Sequence, residues 1–198
     1  MNSLICTVNQ FIEIIKYTWK AKGRHGIHSP FVYDLMDQCF RKPISGKAIS
    51  MIHQKTGIPK KVIRCMMQLL DHLPLTLVYT NHALLLENEK SAKQFLPAQA
   101  IRAISDIYLN DGTLPSSLIY MDFQLYEESL TDRILELVTG LSEDSIFLID
   151  GIRKKDATFD QWQKLISHPD IHFSADLLLF GMLSKRSFQK KEHFVLRF

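Results

Sequence analysis

The hydrophobic rhythm of the chain changes once, near residue 75. Before that point the apolar positions follow helical spacing. Ile5, Val8, Ile12, Ile15 and Trp19 recur at alternating intervals of three and four, which places them on one face of a helix. Lys20, Lys22, Gly23 and Arg24 end that pattern. The stripe is expected to pack against the rest of the protein, with a partner helix or a membrane surface as alternatives. Ser29 and Pro30 then offer an N-cap and a first helical residue, and Val32, Leu35, Met36, Cys39 and Phe40 follow on one face, closed by Pro43. Ser45 caps a further helix to Lys55, ended by Gly57 in the left-handed conformation. Pro59 opens another, with Val62, Ile63, Met66, Met67, Leu69 and Leu70 facing inward and Pro74 as its stop.

Beyond residue 75 the apolar stretches are short and end in polar residues: Leu75 to Tyr79 before Thr80, Ala83 to Leu86 before Glu87, Ala100 to Ile104, Ser117 to Met121 before Asp122, and Ser145 to Ile149 before Asp150. Such runs suit parallel strands buried on both faces, whose carboxyl ends border a ligand crevice. Helical patterns at 88–95, 127–138 and 156–167 separate most of them, as parallel pairing requires. The tail carries three strand-like stretches without crossover helices, expected to add antiparallel strands at one edge. The predicted architecture is an α/β, Rossmann-like sheet, mostly parallel with an antiparallel C-terminal edge. A helical segment over 1–74 precedes the α/β part over 75–198, packed with it as one globular unit.

Composition narrows the partners. Of 198 residues, 46% are hydrophobic and 23% charged, which supports a packed core and argues against global disorder. A net charge of +3 is too mild to argue for nucleic acid. Cys6, Cys39 and Cys65 form no C-x-x-C pair and fall in apolar helical stretches, as expected of reduced thiols in a cytoplasmic protein. No apolar run reaches the ~20 residues of a membrane span. The N-terminus lacks the basic region and small-residue cleavage site of a signal peptide.

Two stretches, KAKGRHGIHSPFVYDL (20–35) and SIFLIDGIRKKDATFDQWQKLISHPDIHFSADLLLFGMLSKRSFQKKEHFVLRF (145–198), resemble a bacterial group of class I S-adenosylmethionine-dependent methyltransferases, O-methyltransferase-like in their sheet. The signatures are HG-h-HSPF, with h apolar, and a closing KEHF-x-LRF strand. The resemblance implies a seven-stranded sheet with an antiparallel terminal hairpin, S-adenosylmethionine as cofactor and a small-molecule acceptor. In that family the first strand ends in an E-L-G-x-x-x-G loop, where glycines let the backbone approach the cofactor. Here the corresponding stretch reads LTLVYTNHALLLE, and no glycine occurs from Ile58 to Asp111.

By the same resemblance, Glu87 takes the place of the ribose-binding carboxylate and Asp106 or Asp111 lies near the adenine loop; an active, divergent enzyme would rebuild its cofactor pocket around Thr80, Asn81, Glu87 and Asp122. Asp122 and Asp150 align with fourth- and fifth-strand acids that are catalytic or cation-binding in relatives. Gly151 stands where the second Asp of an Asp-Asp pair would be, and MDFQ replaces D-G-N-H, so no metal site is expected. Without the resemblance, Glu87, Asp122 and Asp150 read as helix caps or solvated strand ends. His25 and His28 lack the third and fourth ligands of a metal site. The basic residues Arg153, Lys154, Lys155, Lys185, Arg186, Lys190 and Lys191 read as a solvated surface, with an anionic partner as the alternative. No G-x-S-x-G elbow or P-loop is present. The sequence thus predicts a methyltransferase-like protein with weak or lost cofactor binding. The alternatives are an active, divergent O-methyltransferase and an interaction module, the N-terminal helices forming a homodimer.

Overall fold

A computed structural model describes residues 8–23, 27–93, 96, 100–109, 114–123 and 130–198. Four helices come first: α1 (Val8–Lys20), α2 (Pro30–Asp34), α3 (Gly46–Thr56) and α4 (Lys60–His72), with a π-helical turn over Leu35–Cys39 continuing α2. Their ends follow the local chemistry. Pro30 sits at the first position of α2. The Ser45 hydroxyl accepts from the Ala48 amide at the start of α3, and Gly57 ends it at φ 76°, a conformation that glycine enters without a Cβ clash.

The sheet has seven strands: β1 (Leu77–Thr80), β2 (Ala100–Ala103), β3 (Ser117–Asp122), β4 (Ile146–Asp150), β5 (Phe173–Asp176), β6 (Phe180–Ser184) and β7 (Glu192–Val195). Their spatial order is β2-β1-β3-β4-β6-β5-β7. Helices α5 (Ala83–Glu87), α6 (Glu89–Ala92), α7 (Leu130–Gly140) and α8 (Asp156–Ser167) lie between strands, and a 3₁₀ turn (Ile104–Leu109) follows β2. The fold is the expected α/β sheet. The antiparallel element differs in place: β6 runs against both β4 and β5 and lies inside the sheet, whereas the edge strand β7 is parallel to β5. The hairpin from β5 folds β6 into the gap beside β4, and the chain then returns to the far side of β5.

One segment is a different element from the one its pattern predicts. Ala83 to Leu86 is the helix α5, not a strand. Four consecutive apolar residues do not by themselves distinguish a buried strand from a helix turn, and Ala, Leu and Glu are all strong helix formers. The second strand is therefore Ala100–Ala103, parallel to β1.

Both faces of the sheet are covered. On one, α2, α3 and α4 bury Val32, Leu35, Ile49, Ile52, Val62 and Met66 against Val78, Leu118, Leu148 and Phe180. On the other, Ile134 and Val138 of α7 and Trp162 and Leu165 of α8 cover Ile119, Met121, Phe147 and Ile149. Trp162 is fully buried, and its ring lies so close to β6 that a Cβ on Gly181 would stand 2.4 Å from it. Gly181→Ala is expected to cost about 2 kcal/mol through overpacking and to lower the melting temperature by about 4–8 °C. A calorimetric midpoint within a degree of the parent would contradict that packing.

Candidate functional site

Six of the seven strands share one direction, so their carboxyl ends form a common rim. In an open α/β sheet this rim is where ligands bind. The residues standing there are Thr80, Ala103, Asp122, Asp150, Asp176 and Val195.

At the β1–β3–β4 part of the rim the side chains are engaged with the protein itself. Thr80 is wholly buried, and its hydroxyl accepts from the His82 amide at 3.0 Å, closing the turn into α5. The Asn81 carboxamide accepts from the Asp122 amide at 3.2 Å, and its nitrogen reaches the Asp122 carbonyl at 3.5 Å. Asn81 thus ties the end of β1 to the end of β3. His82 and Tyr120 stack at a tilt with ring centroids 6.0 Å apart, and among the described residues the buried His82 Nδ1 and Tyr120 hydroxyl have no partner of ordinary hydrogen-bond geometry. Burial holds the His82 pKa below its ordinary value, against the raising effect of Asp122. The Tyr120 phenol, pushed up by burial and by Asp150 and Asp122, stays protonated.

Asp122 and Asp150 are register partners on adjacent parallel strands, 8% and 2% exposed. Burial, with the Asp122 charge adding to it, lifts the Asp150 pKa from the usual 3.8 to about 6; Lys154 and the Gly151 amide oppose the rise. Gly151 itself takes φ 80°, a left-handed bend that lets the chain leave β4.

The remaining candidates are separate from this cluster. Glu87 ends α5 and is exposed, so it is not the carboxylate at a strand end. The acid that follows β2 beside β1 is Asp106, half-buried in the 3₁₀ turn. His25 and Asp111 lie outside the described residues. His28 is exposed, and no group of three or more metal-ligating side chains occurs among the described residues.

A second feature opens further along the rim. Between α1, α8 and the β5–β7 edge lies a cleft of about 870 Å³, with Tyr17, Lys20, His28, Arg153, Phe159 and His193 in its walls. Its floor is a buried ion pair. The Arg153 guanidinium binds both Asp176 carboxylate oxygens and the Leu178 carbonyl at 3.1 Å, and it packs over the rings of Phe159 at 4.6 Å and Tyr17 at 5.5 Å. Asp176 also accepts from the Leu178 amide at 2.9 Å, holding Leu178 at φ 72°, a backbone state unfavourable for a residue with a Cβ. His193 Nδ1 lies 2.9 Å from the Ser174 hydroxyl; burial lowers its pKa, and Arg153 and Lys20 add to the effect. Sequence reading missed this group because Arg153 reads as surface charge in the sequence. The only local signal was the polar end of the β5 stretch.

No family model matches the chain, and no curated protein is significantly similar to it. Several solved structures resemble it weakly, two of them ligand-bound chains. The S-adenosylhomocysteine-bound methyltransferase PaMTH1 of Podospora anserina superposes with a TM-score of 0.40 and 11% identity, covering 93% of this chain and 99% of that one. Cofactor-bound Rv0187 from MTB gives a TM-score of 0.38 and 13% identity, covering 93% of each chain. Both are too remote to assign anything to this protein.

Two outcomes test the rim. Folding raises the pKa of Asp150, so the native state binds more protons than the unfolded chain between pH 3.8 and about 6. Stability is therefore largest below that window, falls through it and levels off above. Asp150→Asn is expected to flatten this dependence and to stabilise the protein at neutral pH, by about 3 kcal/mol at most; urea titrations from pH 4 to 8 measure both effects. Arg153→Met leaves Asp176 buried without its partner and is expected to destabilise by about 3–5 kcal/mol, read from the same titrations at pH 7.

Proposed function

We propose that this chain is an S-adenosylmethionine-dependent methyltransferase-like protein whose cofactor crevice is closed by its own side chains. It then acts as a binding or assembly module rather than a methyl-transfer catalyst. The observation carrying the reading is the state of the β1–β3–β4 rim, where Thr80, Asp122 and Asp150 are almost without solvent access and Asn81 is spent on the Asp122 backbone. A nucleotide seated there needs bare backbone and free N–H groups at the turn after β1. Asn81 and His82 stand at that turn instead. The residues present do not fit the cofactor, so no transfer step is derived from them.

Calorimetric titration of the whole chain with S-adenosylmethionine and S-adenosylhomocysteine is expected to give no binding heat up to millimolar ligand. A micromolar dissociation constant for either overturns the reading.

One placement favours a second reading, an active and divergent O-methyltransferase with a small-molecule acceptor. Asp106 follows β2 beside β1, where a carboxylate accepts from ribose hydroxyls in dinucleotide-binding sheets. In that case Asp106→Ala weakens the measured cofactor affinity at least tenfold, while exposed Glu87→Ala leaves it unchanged.

A further inference from the structure

Helix α1 faces the wrong way for a helix that completes a core. At 3.6 residues per turn, Ile12, Ile15 and Trp19 fall on one side and Tyr17 on the other. The Tyr17 side points at the protein. Its hydroxyl donates to the Leu196 carbonyl, its ring lies under Arg153, and Lys22, just beyond the helix, bridges to Leu196 beside β7. The apolar side is exposed, Ile12 by 42%, Ile15 by 44% and Trp19 by 87%, with Trp19 at the border of the cleft. The expected packing of this stripe against the domain is therefore corrected: the body of the protein is fastened to the opposite face, and nothing in the chain covers the stripe among the described residues.

We propose that α1 is an amphipathic anchor that lays this stripe onto an anionic lipid surface. The charges around it fit. Lys16 and Lys20 flank the stripe along one side, and Lys22 follows them. The one carboxylate of the helix, Glu13, is held by Lys16 at 2.7 Å, and neither Lys20 nor Lys22 makes an ion pair among the described residues. Trp19, the most exposed of the stripe, sits in the last turn beside Lys20. An indole in the last turn with lysines beside it matches the boundary of a bilayer, where aromatic rings settle and basic side chains snorkel to headgroups.

The other occupants fit less well. A second copy paired about a two-fold axis would bring the same three lysines of each chain to one interface. The stripe offers on the order of 400 Å² of apolar surface, below the ~800 Å² per partner of a stable pair. A protein partner would have to supply a groove for a convex helix; a bilayer need not.

Flotation of the full chain tests the proposal, with vesicles of equal parts phosphatidylcholine and phosphatidylglycerol set against phosphatidylcholine alone. The chain is expected to float with the anionic vesicles only and to lose roughly fivefold or more of that binding when salt is raised to about 0.5 M. Tryptophan emission should shift to the blue on binding. Two sets of exposed changes should each cut partition at least tenfold while leaving the circular dichroism melt unchanged: Ile15→Ser with Trp19→Ser, and Lys20→Glu with Lys22→Glu. The idea is overturned by no partition, by equal partition into neutral vesicles, or by a dimer in light scattering that the Ile15→Ser, Trp19→Ser variant returns to monomer.

Discussion

Strands β3 and β4 are buried along their whole length on both faces, and much else follows from that enclosure. A strand flanked by helices on each side has no solvated face on which to park a polar group. Every polar side chain it carries must find a partner inside or accept a shifted protonation state. The apolar residues meet this condition easily. Tyr120, Asp122 and Asp150 gather at one end of the sheet with Thr80, Asn81 and His82 around them. In a ligand-binding sheet that end is kept open. Here the Thr80 hydroxyl and the Asn81 carboxamide bond to backbone at that end, and burial raises the Asp150 pKa to about 6.

The two unusual strings at the ends of the chain have a structural meaning of the same kind. Phe31 of the HSPF stretch meets Phe173 of β5 edge-on at 5.2 Å, and the Arg186 guanidinium lies over the Phe31 ring, 3.8 Å from its centroid. Phe198, in the LRF ending, packs edge-on against Phe40 and Phe180. The N-terminal helices and the last strand thus share one core. The likeness of these strings to a methyltransferase family is carried by residues that hold the scaffold together, and scaffold residues say nothing about whether a cofactor is bound.

The elements with strong local chemistry were legible from the amino acids alone. Gly57, Pro59 and Ser45 marked their helix boundaries, and the polar endings of β3 and β4 marked the rim. The segment 83–86 was not legible, because four apolar residues in a row carry no periodicity to separate strand from helix. Nor was the facing of α1. The heptad-like spacing of Ile12, Ile15 and Trp19 identifies a stripe, while the direction in which it points is fixed by Tyr17 and Lys22 reaching residues near the other end of the chain. The cleft group was hidden for the same reason. Arg153, Asp176 and His193 are brought together by the placing of β6 between β4 and β5, a topological event that no local pattern encodes.

The last strand carries a consequence of its own. Among the described residues β7 pairs as a strand with β5 alone, and an unpaired edge is of the sort that recruits stray extended segments and seeds fibrils. Lys22 closes the end of that edge, taking the Val195 carbonyl and receiving the Arg197 amide. The first helix therefore also works as a doorstop: a chain shortened past it would present an unguarded template to its neighbours.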